Sequence, residues 1–338
     1  MGQTLSISVI MPAYRAEGLL PKVLPPLLSL LANGKLAEVI VVDDQSPDGT
    51  AALAADMGAQ VLTTRANGGP GAARNLAARQ AKGDILWFVD SDVIAREDGA
   101  EQLQRAFADP GVGAVFGSYD TEPEGKAWFS RYKNLVHHFY HQGGNPDSKT
   151  FWAGCGAVRR DVFLKLGGFD TETYRVPSIE DIELGYRISG AGHRIVLDPT
   201  LLCKHLKVWT IHNSVMTDIF KRALPWSRLM IGREGVTNDL NTGDAEKLRA
   251  VLAWCLVFSV LVLPIVPVVW PLTLLLAAGA LFANWQLAAF LARHGGPGFA
   301  LLCMAYHQFY YMYSSATFAW CLFEYHVLGR RDVSPVGA

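Results

Sequence analysis

Apolar residues follow two different patterns along the chain. As far as about Glu246 they come in short runs separated by charged and turn residues; beyond it they come in long runs without charge. In the first region Ile7-Ser8-Val9-Ile10-Met11, Glu38-Val39-Ile40-Val41-Val42, Gln60-Val61-Leu62-Thr63 and Ile85-Leu86-Trp87-Phe88-Val89 read as strands. Each is short, rich in β-branched or aromatic residues and bounded by turn residues. Helical stretches separate them. The first covers Leu19 to Leu31, with Pro21 in its opening turn and a double proline, Pro25-Pro26, that puts its regularity in question. The second is alanine-rich and follows the turn chemistry of Ser46-Pro47-Asp48-Gly49-Thr50. The third opens at Gly68-Gly69-Pro70-Gly71 and runs through Arg74-Asn75 to Lys82. The alternation β-α-β-α-β-α-β predicts an α/β domain, a parallel sheet with helices on its faces.

The fourth predicted strand ends abruptly in Asp90-Ser91-Asp92. In an open α/β sheet, ligands bind beyond the carboxyl ends of the strands. Two residues apart in extended chain, the carboxylates point the same way, and a divalent cation would relieve their repulsion. The second strand also ends in carboxylates, Asp43-Asp44, one of which suits a cap on the following helix. Two other readings fail on position. Gly69-x-Gly71 lacks the third glycine of a dinucleotide-binding turn, since Arg74 stands there, and it follows the third strand rather than the first. An aspartyl phosphotransferase would carry its nucleophile on the first strand.

Composition narrows the class further. A net charge of -1 gives no argument for nucleic-acid binding. The 5 cysteines are scattered without Cys-x-x-Cys spacing, which speaks against a disulfide framework or a zinc site and for a reducing compartment. No secretory signal is visible. Met1-Gly2-Gln3-Thr4-Leu5-Ser6 fits the permissive myristoylation pattern, although the first strand starts at once.

Several motifs stand together in an order that resembles family 2 glycosyltransferases. They are Val9-Ile10-Met11-Pro12-Ala13-Tyr14, the Val42-Asp43-Asp44 to Thr50 segment, Gly71-Ala72-Ala73-Arg74-Asn75 and Phe88-Val89-Asp90-Ser91-Asp92. The similarity continues through Trp152-Ala153-Gly154, Gly167-Gly168-Phe169-Asp170 and the Glu180-Asp181 to Arg187 segment. The resemblance implies a GT-A fold, a nucleotide-sugar-binding sheet, parallel or mixed, with flanking helices. It further implies Mg2+ or Mn2+ as cofactor, with Asp92 as metal ligand, Asp90 on the metal or the ribose, and Ser91 between them at the donor. Pro12, Ala13 and Tyr14 would pack the base and ribose, and Asp44 would accept a hydrogen bond from the base. Arg74, near helix N–H groups, would contact the nucleotide, a surface ion pair being the alternative. His205, which follows a strand Arg194-Ile195-Val196-Leu197 and a turn at Asp198-Pro199, is expected as a third contact to metal or diphosphate, with His193 the competing histidine and Lys204 and Lys207 available to phosphate. Glu180-Asp181 begin a helix after an irregular loop, where a carboxylate is ordinarily held ionised. Asp181 is expected as the base that takes the acceptor proton in a single inverting displacement, with Glu180 assisting. Trp152 would stack on the acceptor, with aromatic packing in the core as the alternative.

The remaining chain divides into a catalytic region 1–235, a polar linker 236–247 and a membrane region 248–338. Leu248 to Leu263, charged only at Arg249 near its start, and Leu272 to Leu291, which is uncharged, are apolar runs separated by Pro264, Pro267 and Pro271; the second is long enough to span a bilayer. A third run, Phe299 to Phe323, holds many tyrosines and His307 and suits an interface as well as a span. Lys204 to Arg233 interleaves basic and aromatic residues as a helix on an anionic membrane face would. Lys221-Arg222-Ala223-Leu224-Pro225-Trp226 does not match the Gln-x-x-Arg-Trp motif of processive relatives, which argues against polymer synthesis. Lys247, Arg249, Arg293 and Arg330-Arg331 flank the apolar runs and leave two or three crossings open. The expectation is a membrane-anchored inverting transferase at a bacterial-type plasma membrane, its catalytic domain cytosolic. It would move sugar from a UDP-linked donor to a lipid or lipid-linked acceptor. A glycan-synthase subunit of the cell envelope and an inactive nucleotide-sugar-binding scaffold are the alternatives.

Overall fold

The computed structural model describes residues 4–234 and 243–331. Most of the expected linker and the first residues of the acylation pattern lie outside the described residues; Asp244 to Lys247 are helical. The described chain forms two compact units, one from residues 4–125 and 141–208, the other from 126–140 and 209–331. The second unit therefore draws two segments, 126–140 and 209–234, from within the stretch expected to be catalytic.

The first unit contains β1 (Ile7–Ala13), α1 (Leu20–Ala32), β2 (Glu38–Asp43), α2 (Thr50–Asp56), β3 (Gln60–Thr63), α3 (Gly69–Gln80), β4 (Ile85–Val89), β5 (Val93–Ala95), α4 (Gly99–Ala106) and β6 (Val112–Tyr119). After α5 (Trp128–Gln142), most of which counts with the second unit, come β7 (Asp147–Ser148), β8 (Cys155–Arg159), α6 (Arg160–Lys165), α7 (Glu180–Gly190) and β9 (Arg194–His205). The sheet order is β3-β2-β1-β4-β8-β6-β9-β5, with β7 paired to β9. The half built from β3, β2, β1 and β4 is parallel as expected, and every residue of β1, β2 and β4 is buried, since both sheet faces are covered. The other half is mixed: β8 runs antiparallel to β4 and β6, and β9 runs parallel to β6. Of that half, only the start of β9 is legible as strand in the sequence.

The prolines of α1 do not break it. Leu20, Val23, Leu24, Leu27 and Leu30 fall on one stripe and are all buried. Burying each contributes about 1.5–3 kcal/mol, which together exceeds the roughly 3 kcal/mol that an interior proline costs.

The second unit continues through α8 (Ile211–Met216), a π-helical stretch Thr217–Ala223, α9 (Leu224–Leu229) and a further π-helical stretch Met230–Glu234. It then comprises α10 (Asp244–Val262), α11 (Trp270–Ala283) and α12 (Trp285–His326). The run Leu272 to Leu291, expected as one span, breaks at Asn284, whose amide donates to the Ala280 carbonyl and whose oxygen accepts from the Tyr311 hydroxyl. The 14 residues of α11 extend about 21 Å at 1.5 Å per residue, short of a hydrocarbon core of about 30 Å. α12 is itself kinked at Gly296, which has φ 82° and precedes Pro297. Among the described residues α12 is the one helix long and apolar enough to cross a membrane.

This unit is apolar outside and polar within. Ile265, Val268 and Phe282 are 82%, 78% and 78% exposed, while Asn284 is 2% and His307 0% exposed. Inside, Lys133 pairs with Asp218 at 2.8 Å and Arg228 with Glu324 at 2.9 Å. The Tyr311 hydroxyl lies 2.8 Å from Glu246 Oε2, and Tyr132 bonds His307 Nδ1 at 2.7 Å.

In the first unit, what reads as a turn at Asp198-Pro199 is an excursion inside one strand. Leu197 pairs with Phe116 and Leu202 with Ser118, so the intervening residues bulge out opposite Gly117. Asp198 shapes the bulge by accepting from the Thr200 N–H and hydroxyl, and Pro199 has no N–H to give the ladder. A Cβ on residue 117 would lie 1.8 Å from the Leu201 carbonyl oxygen. Gly117→Ala must therefore displace backbone, and a loss of roughly 2–4 kcal/mol is expected in denaturant unfolding. A variant as stable as the parent would contradict this packing.

Candidate active site

The strand order reverses between β1 and β4, which opens a crevice at their carboxyl ends. Tyr14, Asp44 and Asp90 follow β1, β2 and β4 at that edge, with Asp43 the last residue of β2. The acidic motif itself is not extended. The Asp90 N–H donates to the Gly154 carbonyl and the Asp90 carbonyl accepts from Val93, so residues 90–93 form a turn. A turn, and not the pleat of a strand, brings the carboxylates together, with half-buried Ser91 between them. The short strand β5 then pairs Val93 with His205, and Leu206 N–H bonds the Asp92 carbonyl at 2.8 Å. His205 Nε2 consequently lies 3.6 Å from Asp92 Oδ2, an electrostatic neighbour at that range. Lys204, next along the strand, faces the opposite side of the sheet. His193 precedes the other end of β9 and is remote from the motif.

Arg74 is buried, not on the surface. On α3 it bonds Asp90 Oδ1 and lies 4.0 Å from Glu180 Oε1, with its guanidinium over the Phe169 ring. The neighbouring Asn75 holds that ring's loop, donating to the Phe169 carbonyl and accepting from its N–H. Arg74, expected to contact the nucleotide with a surface ion pair as the alternative, pairs inside the site with its carboxylates.

Glu180 and Asp181 form the first turn of α7. Asp181 is half-buried; its Oδ2 accepts from Ala153 N–H at 3.1 Å and its Oδ1 from Ile182 N–H. Glu180 is buried and accepts from Ser178 N–H. Burial, then the Asp181 charge, pushes Glu180 up to about 7 against the opposing pull of Arg74. The depression expected at a helix start does not hold for this residue, because desolvation outweighs the helix dipole. Burial also raises Asp90; Arg74 opposes it, and Asp92 and Asp181 add to it. At Asp92 burial acts upward too, but His205 and Lys207 outweigh it and hold the carboxyl below its usual range.

The remaining expected residues divide. Pro12 and Ala13 are buried inside β1, while Tyr14 is 47% exposed at its end, beneath Arg15. Asp44 is buried and already accepts from Thr64 Oγ1, Gly68 N–H and Gly69 N–H at 2.7–3.0 Å. It ties down the start of α3, and neither it nor Asp43, which accepts from Ser46 N–H, caps α2. Trp152 packs over Gly154, where a Cβ would meet its ring at 2.5 Å, and edge-on to Tyr119 and His141. Tyr119 in turn stacks flat on His205, centroids 4.2 Å apart. Tyr119 and His141 lie outside every motif in the sequence, and no sequence signal marks them as neighbours of the site.

Among the described residues no three His, Cys, Asp or Glu side chains are arranged as a closed metal cage. A hard dication such as Mg2+ needs only one or two carboxylates when substrate phosphates and water complete its shell. Asp92 and Asp90 fit that partial site: their side chains remain 30% and 35% exposed, and all donors on offer are oxygen apart from the His205 imidazole.

Residues 8–167 match the model for glycosyl transferase family 2. The pre-mycofactocin glycosyltransferase of Mycobacterium tuberculosis is 32% identical over 49% of this chain and 37% of its own length. An N-acetylglucosaminyltransferase of a Rhizobium species is 33% identical over 66% of this chain and 52% of that protein. The chain spans about half the length of the curated relatives it matches. Among solved structures, the mannosyltransferase PcManGT of Pyrobaculum calidifontis, in complex with GDP-Man and Mn2+, aligns with a TM-score of 0.58 at 21% identity. That alignment covers 91% of this chain and 88% of that one. GalNAc-T7 with UDP, GalNAc and Mn2+ aligns at 0.50 and 16% identity, over 72% and 54%. These likenesses establish a GT-A-like α/β fold with a mixed sheet.

The raised Glu180 has a stability consequence. A carboxyl whose pKa rises from 4.5 to about 7 on folding contributes fully below pH 4.5, and the contribution is lost as pH rises through 7. Glu180→Gln stays neutral and is expected to gain on the parent across that window, by on the order of 3 kcal/mol above it. Unfolding at pH 4.5 and pH 8 measures this; a difference independent of pH would contradict the assignment.

Proposed function

We propose that this protein is a membrane-bound, metal-dependent, inverting glycosyltransferase. It takes sugar from a nucleoside-diphosphate donor, UDP-linked on the family resemblance, to a lipid or lipid-linked acceptor, with its first unit in the cytosol of a bacterial-type cell. The observation that carries this reading is the convergence of Asp90, Asp92, Glu180 and Asp181 about Arg74 at the strand-order reversal of a family 2 domain. The Mn2+ in the complexes of PcManGT and GalNAc-T7 supports a divalent ion, and their GDP-Man and UDP support a nucleotide donor.

The residues divide the work. Asp92, with Asp90 and His205 beside it, would hold the ion, which when bound supplies charge against the leaving diphosphate. Tyr14, open at the end of β1, offers its ring to the base, and Lys207 adds positive charge near Asp92. Asp181 accepts the acceptor's proton: the Ala153 N–H fixes one of its oxygens, and its side chain is not fully buried. Glu180 titrates near neutrality beside it, so the pair need not carry two full charges before substrate arrives. One displacement with one base inverts the anomeric centre.

The membrane part of the reading is supported by the inverted polarity of the second unit. Outward apolar side chains together with internally paired charges are the arrangement that lipid favours and water does not.

Two variants separate binding from chemistry. Asp92→Asn is expected to weaken Mn2+-dependent UDP binding at least about tenfold, since it removes a charged oxygen ligand. Asp181→Asn is expected to leave that binding within about twofold while lowering transfer by roughly 10²-fold or more. Calorimetry and product mass spectrometry read the two; normal turnover by Asp181→Asn would refute the base.

A further inference from the structure

We propose that a basic hollow at the end of the long apolar helix α12 binds the phosphodiester headgroup of an acidic phospholipid. This rests on the membrane reading given above. The hollow lies within the second unit and is lined by Arg228, Cys321, Glu324, Tyr325, Arg330 and Arg331. Its base is rigid: Arg228 on α9 meets both oxygens of Glu324 at 2.9–3.0 Å, and both side chains are buried. Its rim is set by the chain turning back, since the Arg330 N–H bonds the Glu324 carbonyl at 3.0 Å.

The charges do not balance. Among the described residues that line the hollow, Arg228, Arg330 and Arg331 face the one carboxylate of Glu324, and Arg228 already engages both of its oxygens. Arg330 reaches Glu324 only at 3.3 Å and stays 46% exposed. Arg331 lies over the Tyr325 ring and pairs with no carboxylate among the described residues. An anion with two adjacent oxygens suits such guanidinium forks.

What selects a lipid over a soluble anion is the collar. Trp320, Phe323, Val327 and Leu328 are exposed large apolar side chains immediately before the arginines in sequence. An aromatic and aliphatic band followed by cationic residues is how a helix meets the headgroup layer. A zwitterionic headgroup would bring its own cation to a site that already has an excess. Phosphatidylglycerol is therefore the probe of choice.

The test uses the full chain in detergent, titrated with phosphatidylglycerol or phosphatidylcholine and read by native mass spectrometry, for the parent and for the Arg330→Gln/Arg331→Gln double variant. The parent is expected to take one phosphatidylglycerol at least about fivefold more tightly than phosphatidylcholine, a preference the double variant loses. Its melting temperature and its Mn2+-dependent UDP binding should stay at parental values, as both arginines are exposed. Equal binding of the two lipids by the parent, or an undiminished preference in the variant, overturns the site. Displacement of the lipid by equimolar inorganic phosphate overturns the headgroup assignment. A chain that fractionates with the aqueous phase overturns the membrane reading and this site with it; a membrane-bound chain without lipid preference overturns this site alone.

Discussion

Four carboxylates are gathered within electrostatic reach of one another, and a single buried guanidinium is built in among them. Arg74 binds Asp90 and stands beside Glu180, while Asp92 and Asp181 add negative charge on either side. Burial, and then the neighbouring carboxylates, displace Asp90 and Glu180 upward against the pull of Arg74, while His205 and Lys207 hold Asp92 down. A dication with an anionic ligand is the natural complement of such a cluster. The cluster exists only because the fold assembles it. Asp90 and Asp92 sit on a turn after β4, Glu180 and Asp181 on the first turn of α7, and Arg74 on α3, far apart in the chain. The reversal of strand order at β1 and β4 leaves room for them at one edge.

The parallel half of the sheet was legible because fully buried strands write themselves as short apolar runs between turn residues. The mixed half was not. β6 carries Gly113 and Gly117, which dilute its apolar signal, and each glycine answers a neighbour that sequence does not reveal: His193 against the first, the Leu201 carbonyl against the second. The acidic residues of the site were also readable, because a pair of charges set directly against the end of a buried apolar strand stands out from its surroundings. Their partners were not. That Arg74 would pair with Asp90, and that Asp44 would tie the start of α3, depends on contacts between elements. Tyr119 lies in a strand where an aromatic residue is ordinary, and only the folding of β6 beside β9 stacks it on His205.

In the second unit hydropathy alone misled about continuity. A run of apolar residues containing one asparagine reads as a single span, yet Asn284 ends α11 because Tyr311 and the Ala280 carbonyl engage its side chain. Gly296 interrupts the next helix in the same way, by a backbone conformation that glycine tolerates. Polar residues dispersed through this region, Glu246, Asn284, His307 and Tyr311, come together in its interior. An apolar exterior around such an interior is what supports the membrane reading proposed above.

Completion of the acidic cluster by a cation that arrives with the nucleotide's phosphates is the central claim. Electron paramagnetic resonance of Mn2+ titrated with the protein tests this most directly. The free-ion signal is predicted to fall to a one-to-one end point in the presence of UDP, and to fall far less in its absence or with Asp92→Asn. UDP binding of undiminished affinity in the presence of a chelator, with the Mn2+ signal unaltered, would contradict it.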